Sequence, residues 1–162
     1  MPGLFETIQS EIKARLDAQE FFSDSAAATP RPIPVLTEDL KDIGNQIQLG
    51  LARLGLAVVV VLPAARSSNG EIPGPLWDSI EIVVRVMENV VINRGATGIG
   101  VQNGLVCEAV AWHLHQFRPG NLGPAIWIRR IQLVPDPALL VRDVVGTIMA
   151  GRASSSAPTR ED

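Results

Sequence analysis

The chain has 162 residues, of which 46% are hydrophobic and 19% are charged, and its formal net charge is −3. This length suits one globular domain with a substantial core, and the single cysteine, Cys107, excludes an intrachain disulfide framework and a zinc site with two thiolate ligands. The acidic first hundred residues, with 8 basic against 12 acidic side chains, and the small aromatic content argue against sequence-specific nucleic-acid binding.

The N-terminal segment predicts an amphipathic helix over about residues 3–20, because Phe5, Ile8, Ile12 and Leu16 recur at helical spacing. This segment lacks the basic start and the continuous apolar stretch of a secretion signal. No apolar run in the sequence reaches the roughly 20 residues that a membrane-spanning helix needs. We therefore expect a soluble protein of cytoplasmic origin that does not interact with a membrane.

A proline-rich segment then leads to an extended or edge-strand region around residues 33–36. Thr37 is predicted to be the N-cap of a second helix, and Gly55 its left-handed C-cap. Residues 56–62 predict a central strand buried on both faces, because the run LAVVVVL is uncharged and rich in β-branched side chains. Residues 64–75 are predicted to form a flexible loop.

Residues 77–92 predict a long strand whose alternating pattern gives it two different faces. One face is apolar from Ile80 to Val86. The second face carries side chains of mixed character: Glu81, Val83, Arg85 and Met87. A long strand with a second face of this kind is expected to contact a partner there, so these four residues are interface candidates.

A glycine-rich turn over residues 93–104 leads to a predicted helix over 103–117 that packs on the sheet. Residues 126–134 predict a strand with a β-bulge, because the apolar phase changes across Arg129 and Arg130. Adjacent strand residues face opposite sides, so one of these two arginines is expected to face a partner. Protection of a sheet edge by charge is an equally weighted explanation for both.

Residues 139–150 predict a last strand, and residues 151–162 a disordered C-terminal tail. The order of elements indicates a single α+β domain over residues 1–150, with a mainly antiparallel sheet of about four strands flanked by helices.

The residues capable of chemistry do not assemble into a recognisable catalytic set. On one helix Cys107, His113 and His115 point in different directions, so we expect His113 to be a hydrogen-bonded core histidine and His115 to lie on a solvent-exposed face. The segment 95–100 lacks the Lys and Ser/Thr of a phosphate-binding loop and is interpreted as a flexible connector. Glu88 has the opposite strand parity to Glu81 and Arg85, so Glu81 and Glu88 are not expected to form a catalytic carboxylate pair. The sequence predicts no catalytic residue, cofactor or metal ligand, and hence no enzyme.

Four segments together resemble a known family: IPVLTE at 33–38, the run VVVVLP that ends at Pro63, IEIVVRVMENVVINR at 80–94 and EAVAWHLH at 108–115. This pattern, spread over roughly residues 4–135, resembles the tail terminator (tail-completion) proteins of long-tailed bacteriophages and prophages.

The resemblance implies an α+β sheet flanked by helices, in a protein whose copies close into a ring, expected to be hexameric, on the head-proximal end of the tail tube. Such a ring ends tube polymerisation and joins the tail to head-completion proteins, while DNA passes through its lumen without specific binding. The expected partners are therefore further copies of the chain, the tail tube protein and a head-completion or connector protein. The expected location is the virion tail or neck, after assembly in the host cytoplasm.

The resemblance gives each group of candidate residues an expected role. Subunit contacts are expected at the second face of the long strand and at the arginine pair: Glu81, Val83, Arg85, Met87, Arg129 and Arg130. Contacts to the tube or neck are expected in the loop after the central strand: Arg66, Ser67, Asn69 and Glu71. Two alternatives remain open, namely another head–tail connector, stopper or tail tube protein, and a small nucleotide-binding domain or enzyme that uses residues 95–100.

Overall fold

The structure is a computed structural model that describes residues 3–66, 79–120 and 124–149. Its helical segments are α1 (Leu4–Asp17), α2 (Glu20–Ser23), α3 (Ile43–Arg53), α4 (Val90–Asn93) and α5 (Asn103–Leu114). Its strands are β1 (Val35–Thr37), β2 (Leu56–Val60), β3 (Ala64–Arg66), β4 (Ser79–Glu88), β5 (Ile126–Val134) and β6 (Leu140–Met149). None of the helices within these ranges is long and apolar enough to span a bilayer.

The described strands form one open mixed sheet in the order β1-β2-β4-β6-β5, and β3 pairs with β4 beside this path. β1 and β2 are parallel, whereas every other pairing is antiparallel. This compact mixed domain agrees with the expected α+β class, but its described part contains six strands, so the expected number of about four was wrong. The two extra strands, β1 and β3, have three residues each, too few for an alternating pattern to be visible in the sequence.

One face of the sheet, here called the core face, packs against α1 and α5. Its even-numbered β4 side chains meet the apolar stripes of both helices in a continuous cluster. The largest fully buried members of this cluster are Phe22, Ile8, Ile12, Leu16, Leu56, Ile82, Leu114, Ile126 and Ile148. The odd-numbered residues of β4 point to the other side, here called the Arg85 face.

The Arg85 face is packed against a helix at one end of the sheet. Gly50 of α3 lies so close to β2 that a Cβ there would sit 3.5 Å from the Cβ of Ala57. Strand β2 is consequently buried on both faces, as its sequence predicted. In the described ranges, the helix with substantial contact to β4, β6 and β5 is α5, which lies on the core face.

The second helix begins later than the sequence suggested. Thr37 is not its N-cap but the last residue of β1, where it pairs with Val60 and is 8% exposed. The backbone at this point already takes part in the sheet, because the N–H of Glu38 donates to the carbonyl of Val60 at 3.0 Å. α3 therefore starts at Ile43. The predicted C-cap is confirmed, since Gly55 has φ +73° and its N–H donates to the Gly50 carbonyl.

The long strand β4 ends at Glu88 instead of continuing to residue 92. Asn89 ends it by capping the single helical turn α4, with its Oδ1 accepting the N–H of Ile92 at 3.3 Å. The predicted third helix also ends early, at Leu114, because His115 has extended backbone with ψ 125°.

Three other predictions have clear outcomes. The N-terminal helix is present as α1, although a short break separates it from α2. Residues 64–66 form β3, so the expectation of a loop throughout 64–75 was wrong at its start. The β-bulge in β5 is confirmed by a register shift between Ile128 and Arg130. The expected tail at 151–162 lies outside the described residues.

Candidate interaction surface

The sheet pleat places the four candidate residues of β4 together on the Arg85 face. Glu81, Val83, Arg85 and Met87 are half-buried there, while the residues between them are buried on the core face. Each lies directly opposite a residue of β6, and Val83 opposes Val145. β6 in turn pairs with β5, so three adjacent strands build this surface.

The bulge in β5 brings both arginines to this same surface. The Nε of Arg129 donates to Oγ1 of Thr147 at 3.1 Å, and Thr147 lies opposite Glu81 of β4. Arg130 lies opposite Val145, which is on the same face as Val83. The expectation that the two arginines face opposite sides was wrong, because the extra residue of a bulge interrupts the alternation. All six candidate interface residues therefore lie on the Arg85 face.

An ion pair forms the centre of this surface. The Nε of Arg85 lies 2.8 Å from Oδ1 of Asp143, and its Nη2 lies 3.0 Å from Oδ2. The Asp143 side chain is 7% exposed, whereas that of Arg85 is 41% exposed. The hydrogen bond to Asp143 raises the pKa of Arg85, burial partly opposes this, and the charges of Asp143 and Glu38 add to the increase. The pair is thus anchored through its carboxylate and leaves one side of the guanidinium accessible.

The surroundings of the ion pair are mainly apolar. Val141 and Val145 of β6 are buried beside it, and Trp127 and Met149 are 41% and 47% exposed near the rim. The surface thus combines aliphatic groups, an aromatic ring and arginines, which is the composition typical of the centre of protein–protein interfaces. This arrangement can bind another protein surface.

The candidate loop residues can be placed only in part. Arg66 is the last residue of β3, where it pairs with Ser79 at the start of β4. Ser67, Asn69 and Glu71 lie outside the described residues. The contact to a tube or neck that was expected of this loop therefore stays a prediction.

A buried polar cluster on the core face was missed by the sequence reading. Glu88 is fully buried, and its parity, opposite to that of Arg85, is as predicted. Its Oε1 accepts the side-chain amide of Asn93 at 2.8 Å, and its Oε2 accepts the backbone N–H of Asn103 at 3.1 Å. The carboxylate thereby occupies the N-terminus of α5, where the helix dipole favours a negative charge.

The amide of Asn103 extends this cluster across the sheet. Its Nδ2 donates to the carbonyls of Val86 and Leu140 at 3.0 and 3.1 Å, and its Oδ1 accepts from Arg142 at 3.0 Å. One side chain thus connects α5, β4 and β6. The sequence signal was the Glu-Asn and Asn-Arg pairs around α4. Both pairs lie within the run IEIVVRVMENVVINR, which was used for the resemblance without giving them a structural role.

The glycine-rich segment 95–100 is tied to the same cluster. The N–H of Gly100 donates to both the carbonyl and the Oδ1 of Asn93, and the carbonyl of Gly98 accepts from Arg31 at 3.0 Å. A Cβ on Gly98 would lie 2.2 Å from the Asn93 carbonyl oxygen. The interpretation of this segment as a loose connector was therefore wrong, because its glycines allow close packing against α4.

The cysteine and the two histidines have separate surroundings. Cys107 is 1% exposed and its Sγ donates to Oδ1 of Asn103, and burial raises the pKa of the thiol to about 11. His113 was expected in the core but lies at its rim, half-buried with its ring 6.4 Å from that of Phe22. Burial and then the charge of Arg15 lower the pKa of His113.

His115 is exposed, as expected, but it also has a structural role. Its Nδ1 accepts the backbone N–H of Ile128 at 3.2 Å, and its ring packs edge-on against Trp127. It therefore attaches the end of α5 to β5. Across the described ranges, no group of three or more His, Cys, Asp or Glu residues is arranged to hold a metal ion.

The chain matches no protein-family model, no curated protein and no solved structure.

Proposed function

We propose that this chain is a structural subunit of a phage tail and that its copies assemble into a terminator ring at the head-proximal end of the tail tube. The observation that supports this proposal most strongly is the composition of the Arg85 face. Its six candidate residues converge on three adjacent strands, and they are half-buried or exposed around one anchored ion pair. The resemblance of the segments at 80–94 and 108–115 to tail terminators points to the same role.

A ring of identical subunits needs two different complementary patches on each subunit, because each copy contacts its neighbours head to tail. The Arg85 face supplies one such patch. The ring ends tube growth by occupying the last tube layer, and its other side receives the head-completion protein. Residues 66–71 are the proposed contact with the tube or neck.

In this proposal the chain does no chemistry. Among the deeply buried polar side chains, those of Glu88, Asn93 and Asn103 form hydrogen bonds within the fold. DNA passes through the ring lumen, and the net charge of −3 favours passage without tight phosphate binding.

The test uses the full chain alone and together with purified tail tubes. Light scattering after size exclusion is expected to give a single closed oligomer, and negative-stain images are expected to show one ring at one end of each tube. A chain that stays monomeric at high concentration and never joins tubes would contradict the proposal. Repeated stacking would instead identify a tube subunit, and binding to the neck alone would identify another head–tail joining protein.

A matched pair of variants tests the Arg85 face directly. Val83→Glu places a charge among the aliphatic residues of this face and is expected to abolish the ring. Leu105→Glu places the same charge on α5 at a side chain that is 52% exposed, and it is expected to leave the ring intact. Equal effects of both variants would show that this face is not the contact.

A further inference from the structure

β5 is the strand at one end of the sheet. This end differs from the opposite end in its backbone hydrogen bonding and in its charge. The backbone N–H groups of Ile126 and Ile128 donate to Phe117 and His115, away from β6. Because Arg129 is the extra residue of the bulge, the backbone groups that point away from β6 beyond it are those of Ile131 and Leu133. No described strand pairs with this part of β5.

This edge of β5 is also apolar at its side chains. Ile131 and Leu133 are 42% and 64% exposed on the core-face side of the strand. Arg129 and Arg130 add positive charge beside them on the Arg85 face. An edge with unpaired backbone groups and exposed aliphatic side chains is a template for pairing with another chain.

The other end of the sheet is β1 and the turn that follows it. Glu38, Asp39 and Asp42 are exposed in this turn, with Lys41 as the single cation among them. Leu40, in the same turn, is 41% exposed. This acidic turn, residues 38–42, therefore has the opposite charge to the β5 edge and its own apolar side chain.

The two charged ends lie at the same height along the strands. Glu38 follows the β1 residue that pairs with Val60, so it lies beside Val61, whose N–H donates to the carbonyl of Val83. Val83 is opposite Val145, and Val145 is opposite Arg130. One row across the sheet thus begins with a carboxylate and ends with a guanidinium, with three valines between them.

These two charges cannot pair within one molecule. Four strand spacings of about 4.8 Å separate them by about 19 Å across the sheet. In a neighbouring copy placed beside the β5 edge without a shift along the strands, Glu38 would face Arg130 directly. Two β5 edges brought together would instead bring two arginine pairs close to each other, which charge repulsion disfavours.

We propose that the β5 edge of one copy docks on the acidic turn of the next copy, and that this contact closes the ring. The inference rests on the proposed ring function and names the two patches of its contact: the β5 edge, whose Arg130 belongs to the Arg85 face, and the acidic turn that complements it. The occupant of the β5 edge is a second copy of this chain. The acidic turn of that copy has the opposite charge to the edge and lies at the same position along the strands. Repetition of one such head-to-tail contact about an axis gives a closed ring.

A charge-exchange experiment on the full chain tests this contact. Arg130→Glu and Glu38→Lys, each alone, are expected to weaken association at least 10-fold, because each places like charges across the contact. Mixing the two variants in equal amounts is expected to restore the oligomer, since every contact in an alternating ring is then complementary. The double variant is expected to assemble as well.

Two controls keep the result interpretable. Glu38 accepts the N–H of Leu62 at 2.7 Å, so Asp39→Lys provides a second reversal in the turn that does not remove this bond. Arg53→Glu makes the same charge change as Arg130→Glu at the far end of α3 and is expected to leave association unchanged. Circular dichroism and thermal unfolding confirm that each variant is folded.

The outcomes separate this inference from the function on which it rests. If the wild type forms rings on tail tubes but both reversals assemble normally, or if the mixture of variants stays monomeric, the edge contact is overturned and the terminator function stands. If Arg130→Glu disrupts the oligomer and the reversals in the turn do not, the edge pairs with something other than the acidic turn. A wild type that neither oligomerises nor binds tubes overturns both proposals.

Discussion

Glu88 and Arg85 lie three residues apart on β4 and point to opposite faces of the sheet. Glu88 is fully buried, and its carboxylate bonds to groups of α4 and α5. Arg85 is 41% exposed and forms an ion pair with the carboxylate of Asp143 on the adjacent strand. The Glu88 carboxylate thus holds elements of one chain together, whereas the guanidinium of Arg85 stays partly exposed on the other face.

The physical reason for this difference is desolvation. A buried polar group is costly when its partner is missing, so the hydrogen bonds of Glu88 are expected to contribute strongly to stability. In the ion pair the Asp143 carboxylate is buried, but the guanidinium of Arg85 is partly exposed and can exchange bonds with water.

The largest effect is expected at Gly55, where the core-face cluster is packed most tightly. Alanine at this position would hold a left-handed φ of +73° and would place its Cβ 2.1 Å from the backbone nitrogen of Asn93. We expect Gly55→Ala to lower the free energy of unfolding by about 4 kcal/mol or more, measured by urea denaturation.

Gly44→Ala is the matched control for this substitution. A Cβ at Gly44 meets nothing within 4 Å in α3, so alanine there should raise stability by about 0.5 kcal/mol through its better helix propensity. Similar losses for both glycines would mean that α4 does not pack against Gly55 as described.

The second effect concerns the carboxylate itself. Glu88→Ala leaves the N–H of Asn103 without its acceptor in a buried site, and it removes one of the two acceptors of the Asn93 amide, the other being the Val101 carbonyl. We expect this substitution to lower the free energy of unfolding, measured by urea denaturation, by about 3 kcal/mol. Glu108→Ala, on the exposed side of α5, should change stability by less than about 0.5 kcal/mol. If Glu88→Ala lowered the free energy of unfolding as little as Glu108→Ala, the contrast between the two faces of the sheet would not hold.

A smaller effect is expected for the ion pair on the other face. Asp143→Ala should lower the free energy of unfolding of the unassembled chain by about 1 kcal/mol, because Arg85 is partly exposed and can turn to water when its partner is lost. Arg85→Ala should cost more, because it leaves the buried carboxylate of Asp143 without its ion-pair partner. In Asp143→Ala ring formation should be lost while the chain stays folded. A loss of stability in Asp143→Ala as large as that in Glu88→Ala would show that the pair serves the fold rather than a contact.

The smallest effect concerns pH. The pKa of His113 is lowered in the folded chain, so the folded state binds fewer protons than the unfolded state as pH falls through the ordinary histidine value. Stability should therefore be complete above about pH 7 and decline slightly toward pH 5. His113→Gln should remove that part of the decline, which denaturant titrations at pH 8 and pH 5 can measure. An identical pH dependence in both proteins would contradict the assignment.

Local patterns in the sequence predicted local features of the fold correctly. The alternation of β4, the phase change at Arg129 and Arg130 and the cap at Gly55 each depend on neighbouring residues, and the structure contains all three. Thr37 was misread because its place is set by parallel pairing with β2, a contact between distant segments that no local pattern records.

For the candidate surface, too, local patterns predicted some features correctly and failed for others. Parity was enough to group the four β4 residues on one face. It failed for the two arginines of β5, because the bulge that the sequence itself indicated was not carried through to the direction of their side chains. The cluster around Asn93 and Asn103 could not be predicted, since its bonds join segments brought together only by the sheet and α5.

The surplus residue at Arg129 has a consequence for the chain before it assembles. A straight, flat strand edge carrying exposed isoleucine and leucine would pair indiscriminately and grow into fibrils. The bulge twists this edge and places two positive charges on it. The β5 edges of two free subunits therefore repel each other, although their exposed aliphatic side chains would favour contact. In the proposed ring, the charge at this bulge would thus disfavour contact between two β5 edges and leave the acidic turn of a neighbouring copy as the preferred partner.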